Sequence, residues 1–274
     1  MDSERYYHIG FGRGDLGQTP PTIALLCGDP QRARRIAQQT PGVSCLQTLS
    51  ENRGLHSYLC ALDDGPRFVA ATSGMGAPSL SIVVNELVGV GIRTITRVGT
   101  CGAIAPGVRV GSLVISQAAL CRQGAAADIA PTEYPAAADP FLTVALVQAA
   151  RQLNVDYHLG ITASVDSFYE GQERSDTANP HLLRRLRGST EEYRQLGILN
   201  YEMEAGTLFK MGLVYGFAAG CLCAVLAERM SGEQVLVEQK LQAERDAIRV
   251  ALKTLATWPQ PWGPGLEPGS PRHR

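Results

Sequence analysis

Short apolar runs that end in glycine alternate with helical stretches along almost the whole chain. That alternation limits the fold more than any other feature. Residues 22–27 form a strand-like run closed by Gly28-Asp29-Pro30, and residues 31–38 read as a helix. Residues 67–72 form a second run, closed by a glycine turn containing Gly74 and Gly76. A helix is expected over 79–90, with Pro78 at its first turn. Residues 94–98, 112–120, 159–165 and 218–227 read as further strands, and residues 202–215 as a helix. Leu142, Ala145, Leu146, Ala149 and Leu153 recur at helical spacing, and Leu241, Ile248, Leu252 and Leu255 mark a last helix. Strands that alternate with helices predict an α/β fold: one domain with a mixed, largely parallel central sheet flanked by helices.

Composition bounds the function. Of 274 residues, 45% are apolar and 19% charged, which supplies a core and excludes disorder for most of the length. Lysine and arginine total 25 against 26 acidic residues, so a globally basic nucleic-acid binder is excluded while a local cationic pocket is not. No apolar stretch approaches the roughly 20 residues of a membrane span, and residues 1–10 carry no secretory pattern. Seven cysteines without a CxxC pair predict reduced thiols, a cytoplasmic setting and no metal site. Cys221 and Cys223 lie two apart in a strand-like run and are expected to pack on one sheet face. The domain is expected to span residues 1–258. Residues 259–274 hold five of the 16 prolines and read as a disordered tail.

The chemistry is expected where strands end. Gly12-Arg13-Gly14-Asp15-Leu16-Gly17 fits a dinucleotide pattern, but no strand precedes it and Thr19-Pro20-Pro21 follows it, so that reading fails. Gly28 and Arg32 suit an anion at a helix start. Arg97, Thr100 and the glycines Gly99 and Gly102 predict a nest of free amides beside a guanidinium, a site for phosphate. The alternative is a glycine-rich βα turn with Arg97 in a structural ion pair. Phe168, Gln172 and Arg174 bring a flat ring, an amide and a guanidinium after a strand, which together can read a heterocycle. Asn200 to Glu204 are expected to start a helix, with Glu202 and Glu204 pointing in different directions. A carboxylate here would accept from the two hydroxyls of a sugar diol.

Four segments, GDPQR at 28–32, RVGTCGAI at 97–104, SVDSFYEGQER at 164–174 and NYEMEAGTL at 200–208, carry a family resemblance. In order and spacing the chain resembles the nucleoside phosphorylase superfamily over residues 8–255, and most closely its uracil-reading branch, the bacterial uridine phosphorylases. The resemblance implies that Gly28, Arg32, Arg97 and Thr100 hold phosphate, and that Arg53 reaches the phosphate of a neighbouring subunit. It implies that Met203, Glu204 and the adjacent Glu202 lie at the ribose, where His8 from the neighbour meets the 5′-hydroxyl. Gln172 and Arg174 would read uracil, with Phe168, Cys101 and Gly102 around the base and Arg229 in support. Arg174, Gln172, Arg97 and Glu204 would act on the reacting groups.

Purine-cleaving relatives carry an aspartate after the last strand. Here that region reads Leu226-Ala227-Glu228-Arg229. Cys101 replaces a usual hydroxyl residue. Gly54 stands where some members hold a carboxylate for a monovalent cation. No resident cofactor is expected, because phosphate is a co-substrate. The implied activity is reversible phosphorolysis of uridine, with deoxyuridine or thymidine as further substrates, in a hexamer built as a trimer of dimers with shared sites. The alternatives are a nucleoside phosphorylase or hydrolytic nucleosidase of other specificity, and a non-catalytic nucleoside-binding protein.

Overall fold

A computed structural model describes residues 5–229 and 237–258. The expected tail at 259–274 lies outside the described residues. In chain order the elements are β1 (Ile23–Cys27), α1 (Pro30–Gln38), β2 (Val43–Ser50), β3 (Ser57–Leu62), β4 (Arg67–Thr72), α2 (Ala77–Gly89), β5 (Thr94–Ala103), β6 (Leu113–Arg122), α3 (Gly124–Ile129), α4 (Pro140–Gln152), β7 (Tyr157–Val165), α5 (Ser189–Gln195), β8 (Ile198–Glu202), α6 (Ala205–Tyr215), β9 (Ala218–Glu228) and α7 (Val237–Thr257). Gly12–Gly17 brackets a single 3-10 turn, Arg13–Leu16, which is no phosphate loop.

The nine strands form one mixed sheet in the order β2-β3-β4-β1-β5-β8-β7-β6-β9. β9 also returns to pair with β5. The strands β5, β8, β7, β6 and β9 therefore close into a ring, from which β1, β4, β3 and β2 continue as an open sheet. β1–β4, β1–β5, β5–β9, β6–β7 and β7–β8 run parallel. β2–β3, β3–β4, β5–β8 and β6–β9 run antiparallel. Closing the ring leaves fewer sheet edges to protect.

Two apolar layers cover the sheet. Ala24 and Leu26 of β1 face the layer that holds Leu80, Val83 and Leu87 of α2 and Leu208 and Phe209 of α6. Ile23, Leu25 and Cys27 face the opposite layer, with Ile36 of α1, Leu146 of α4 and Ile248 and Leu252 of α7. Strand alternation sends successive side chains to the two layers, so both faces demand apolar residues. The layers fit tightly at Gly220. A Cβ there would lie 2.8 Å from Leu142 Cδ2 and 3.4 Å from Leu146 Cδ1.

Two local expectations need correction, and two strands were not expected at all. The segment Gly99–Ala103 is not a turn with free amides. It is the second half of β5, in parallel register with β9 from Gly99↔Cys223 to Ala103↔Glu228. The adjoining strand takes up the backbone that the nest was expected to leave open. Residues 200–202 do not start a helix. They end β8, and α6 begins at Ala205. β2 and β3 escaped sequence reading because β2 is largely exposed, polar and twice shifted in register, which erases any apolar alternation.

Leu146 is fully buried in the α4 layer. Leu146→Ala should therefore destabilise the fold by about 3 kcal/mol. Urea unfolding would show this as a lower midpoint at unchanged slope. A midpoint equal to that of the parent chain would show that this layer is loosely packed.

Candidate functional site

A cavity of about 610 Å³ opens where β1, β5, β8 and β9 end. Gly28, Arg32, Arg97, Thr100, Cys101, Gly102, Phe168, Gln172, Arg174, Glu202, Met203 and Glu204 all line it. Carboxyl ends of sheet strands are where α/β folds place ligands, and the size suits a small molecule.

At one end lie the arginines. Asp29 caps α1, accepting from the Gln31 amide at 2.8 Å, so Arg32 falls on the first turn, facing the cavity. Arg32 donates through Nη2 to Glu244 of α7 at 3.1 Å, while its buried Nε has no hydrogen-bond partner. Arg97 is buried on β5. Its Nε faces Glu202 Oε2 at 3.3 Å, and its Nη2 pairs with Glu204. Nη1 is buried without a partner, leaving one donor arm of the fork unused. Burial alone would lower the Arg97 pKa, but the facing Glu204, with Cys223 and Glu202, holds it well above its ordinary value. Arg97 stays charged.

The two glutamates converge on this one guanidinium, contrary to the expectation that they diverge. Glu202 ends a strand and Glu204 precedes a helix, so helical spacing does not apply between them. Their surroundings differ. The Glu202 carboxylate accepts from the Ser164 hydroxyl, and from the amides of Glu204 and Ala205 at 2.8 Å each, besides facing Arg97. Burial pushes its carboxyl up to about 7, against the pull of Arg97. Glu202 supports Arg97 and the start of α6 through Oε2, and it lines the cavity as Glu204 does. Glu204 takes the Gly76 amide on Oε1 at 2.6 Å and keeps further lone pairs for a ligand.

At the other end, the loop after β7 turns sharply. A Cβ on Gly171 would lie 2.6 Å from the Ser167 carbonyl oxygen, so only glycine fits there. Glu173 has a left-handed backbone, φ 52°, and its carboxylate accepts from the Gly188 amide and from the Thr190 amide at 2.9 Å. Pinning Glu173 outward leaves its neighbours Gln172 and Arg174 on the cavity side. Both are buried, and the Arg174 guanidinium lies 4.0 Å from the centre of the Phe168 ring. One face of Phe168 is thus covered by Arg174, not held open for a base. Arg229 donates to the Gln172 carbonyl at 2.9 Å and to its side-chain oxygen at 3.4 Å. It is not among the lining residues and supports the Gln172 amide. Gly102 leaves it room, since a Cβ there would meet the Arg229 stem at 3.3 Å.

Two expected residues lie elsewhere on the chain's own surface. His8 Nδ1 is 2.6 Å from Glu86 on α2. Glu86 stands nine residues along α2 from Ala77 at the cavity end, about 14 Å at the helical rise. That distance exceeds the reach of an imidazole. Arg53 has φ 54° and lies with its guanidinium 5.7 Å from the Tyr7 ring. Neither lines the cavity of its own chain. The monovalent-cation site does not fit the residues present, because Gly54 has φ 75° and offers no side chain to ligate an ion. Glu228 accepts from the Val110 amide at 3.1 Å and borders a separate depression beside Arg194.

Met75, Tyr201, Leu226, Ala227 and Lys240 also line the cavity. Met75 lies in the glycine turn expected at this rim, and Tyr201, Leu226 and Ala227 lie inside quoted segments without having been assigned a role; Lys240 alone was missed. Lys240 lies on α7, a separate element with no local signal.

All seven cysteines are free thiols. Burial, and the neighbouring Cys223, push the Cys101 thiol well above its ordinary pKa, so it is no thiolate nucleophile. Among the described residues no helix is long and apolar enough to cross a membrane.

The profile of the phosphorylase superfamily matches residues 22–257. The chain is 38% identical to the uridine phosphorylase of Klebsiella aerogenes over 92% of its own length and 98% of that relative. The same figures hold for the uridine phosphorylase of Escherichia coli strain K12. Identity to the uridine phosphorylase of Thermococcus kodakarensis is 37%, over 95% of this chain and 93% of the relative. With this match over nearly its whole length, the chain belongs to the phosphorylase superfamily.

Proposed function

We propose that this protein is a uridine phosphorylase, catalysing reversible phosphorolysis of uridine to uracil and ribose 1-phosphate. The observation that carries the reading is the set of side chains that line one cavity: Arg32, Arg97, Glu204, Gln172 and Arg174. Arg97 is tied to Glu204, while Gln172 is braced by Arg229, which crosses Gly102, five residues further along β5. That set suits an anion, a sugar diol and a polar ring held along one cavity.

In this scheme phosphate sits against Gly28, Arg32, Arg97 and Thr100. The unused arm of Arg97 supplies one donor to it, and a guanidinium fork matches phosphate oxygens well. Glu204 accepts from the ribose hydroxyls beside Met203. The glycosidic bond breaks with its electron pair leaving on uracil, and a phosphate oxygen bonds to the anomeric carbon from the opposite face. Arg174 and the Gln172 amide stabilise the negative charge that develops on uracil. Phosphate itself offsets the positive charge that develops on the sugar. No protein nucleophile and no resident metal takes part, so catalysis is positioning plus charge stabilisation. Glu228, the acid that ends the last strand, accepts from the Val110 amide and is not among the described residues that line the cavity. This favours the uracil-reading branch over the purine-cleaving one. His8 and Arg53 complete the site of a neighbouring copy, so the working form is an oligomer with shared sites, a hexamer built as a trimer of dimers.

Arg174→Ala should lower kcat by about a hundred- to a thousandfold, the usual effect of removing one donor from a developing anion. The check is the absorbance change of uridine with and without phosphate. Near-normal turnover would overturn the assignment of Arg174, and uracil release without phosphate would indicate a hydrolase. Gly99→Ala tests the phosphate end. A Cβ at 99 would lie 2.8 Å from the Arg97 guanidinium carbon and 2.9 Å from Cys223 Sγ. Displacing Arg97 should raise the KM for phosphate about tenfold or more. An unchanged phosphate KM would separate Arg97 from phosphate binding.

A further inference from the structure

The segment before the first strand is tied down from two sides by side-chain hydrogen bonds. Glu86 of α2 accepts from the Ile9 amide at 2.8 Å and from the His8 amide at 3.2 Å, and it meets His8 Nδ1 at 2.6 Å. From the other side, Asn52 Nδ2 donates to the carbonyls of Tyr7 at 2.7 Å and of His8 at 3.1 Å. The Tyr7 ring packs edge-on against the imidazole, with ring centres 5.0 Å apart. Backbone and ring of His8 are thereby fixed together.

A carboxylate can only accept, so the Nδ1 that faces Glu86 must carry the hydrogen. In the neutral ring Nε2 then holds the lone pair. Among the described residues no group is hydrogen-bonded to Nε2, and the His8 side chain is 31% exposed. The ring therefore presents an oriented acceptor to whatever lies outside this chain. The helix that carries Glu86 also gives the Gly76 amide to Glu204 in the cavity of its own chain. One helix thus supports the site of its own chain at its first turn and aims His8 outward near its last.

We infer that Glu86 is a positioning residue that fixes the tautomer and direction of His8, so that Nε2 accepts a hydrogen bond from the 5′-hydroxyl of the nucleoside in a neighbouring copy's cavity. The inference rests on the proposed uridine phosphorylase reading and on His8 reaching that cavity. Glu86 never touches substrate. Its effect appears only with substrates that have a 5′-hydroxyl to donate.

The test is steady-state kinetics with uridine and 5′-deoxyuridine at saturating phosphate, for His8→Ala, Glu86→Gln, Glu86→Asp and the double variant of His8→Ala with Glu86→Gln. Glu86→Gln keeps an oxygen for the two amides but can turn an amide donor toward Nδ1. It should lower kcat/KM for uridine about tenfold, and that for 5′-deoxyuridine less than about twofold. Glu86→Asp keeps the charge on a shorter stem and should give a smaller loss with the same selectivity. The double variant should be no worse than His8→Ala alone. If His8→Ala affects both substrates equally, or neither, His8 does not meet the 5′-hydroxyl and the underlying reading of that residue fails. If His8→Ala is selective but the Glu86 variants lower both substrates alike, Glu86 is only structural and the inference is overturned. Should Glu86→Gln fail to fold, Glu86→Asp decides on the same criterion.

Discussion

The site depends on one buried guanidinium. Arg97 lies on β5, the strand that pairs with β1, β8 and β9 and so joins the open sheet to the closed ring. A charge this deep is tolerated only if it is paired, and two carboxylates pair it. The pairing also fixes where other elements go. Glu202 can meet Arg97 only if β8 ends beside β5, and its lone pairs then satisfy the first amides of α6. Glu204 can meet Arg97 only if α6 starts at that point, and it then receives the first turn of α2 through Gly76. A single cation thus ties the ends of two strands and the starts of two helices at the cavity floor. The unused arm of Arg97 and the partly satisfied Arg32 are what remain for an anion.

Much of this was legible in the sequence because the motifs are local. The strands at 22–27, 67–72 and 218–227 stand out as apolar runs, and β1, β4 and β9 lie where those runs are. The residues of GDPQR, RVGTCGA and FYEGQER meet at one cavity because each sits at or just past the end of a strand. What failed to show was anything set by pairing between distant segments. Glycines at 99 and 102 look like a turn in isolation, yet β9 holds them in a strand. They are there because Arg97 and Arg229 fold across them, which only the packing shows. Residues 198–202 carry polar side chains and no alternation, yet they are buried between β7 and β5. The partners that aim the functional groups, Glu173, Glu86 and Glu244, are charged residues with ordinary neighbours, and no local pattern marks them.

The near-zero net charge has a similar explanation. Arg32 and Arg97 at the cavity are paired with acids from elsewhere in the chain. Glu244 takes both Arg32 and Arg35, and Glu202 and Glu204 take Arg97. Such pairing directs the guanidinium forks. A guanidinium with one arm held and another arm open is preorganised for an anion, and little reorganisation is then needed as a reaction proceeds.

The last strand shows how a small irregularity can set chemical preference. The register of β9 against β5 shifts between Cys101 and Gly102, so Val225 pairs with Cys101 but Ala227, not Leu226, pairs with Gly102. The bulge places both Leu226 and Ala227 on the cavity wall. The next side chain, Glu228, is turned to the far side, where Val110 donates to it. Without the extra residue, strict alternation would exchange the faces of the residues that follow. An acid would then stand where the wall is now apolar. The carboxylate that makes position 228 resemble the purine-cleaving pattern in sequence is thus removed from the cavity by backbone geometry. The same shift lets Arg229 cross Gly102 and brace Gln172. One unpaired residue both turns Glu228 toward Val110 and lets Arg229 brace the Gln172 amide.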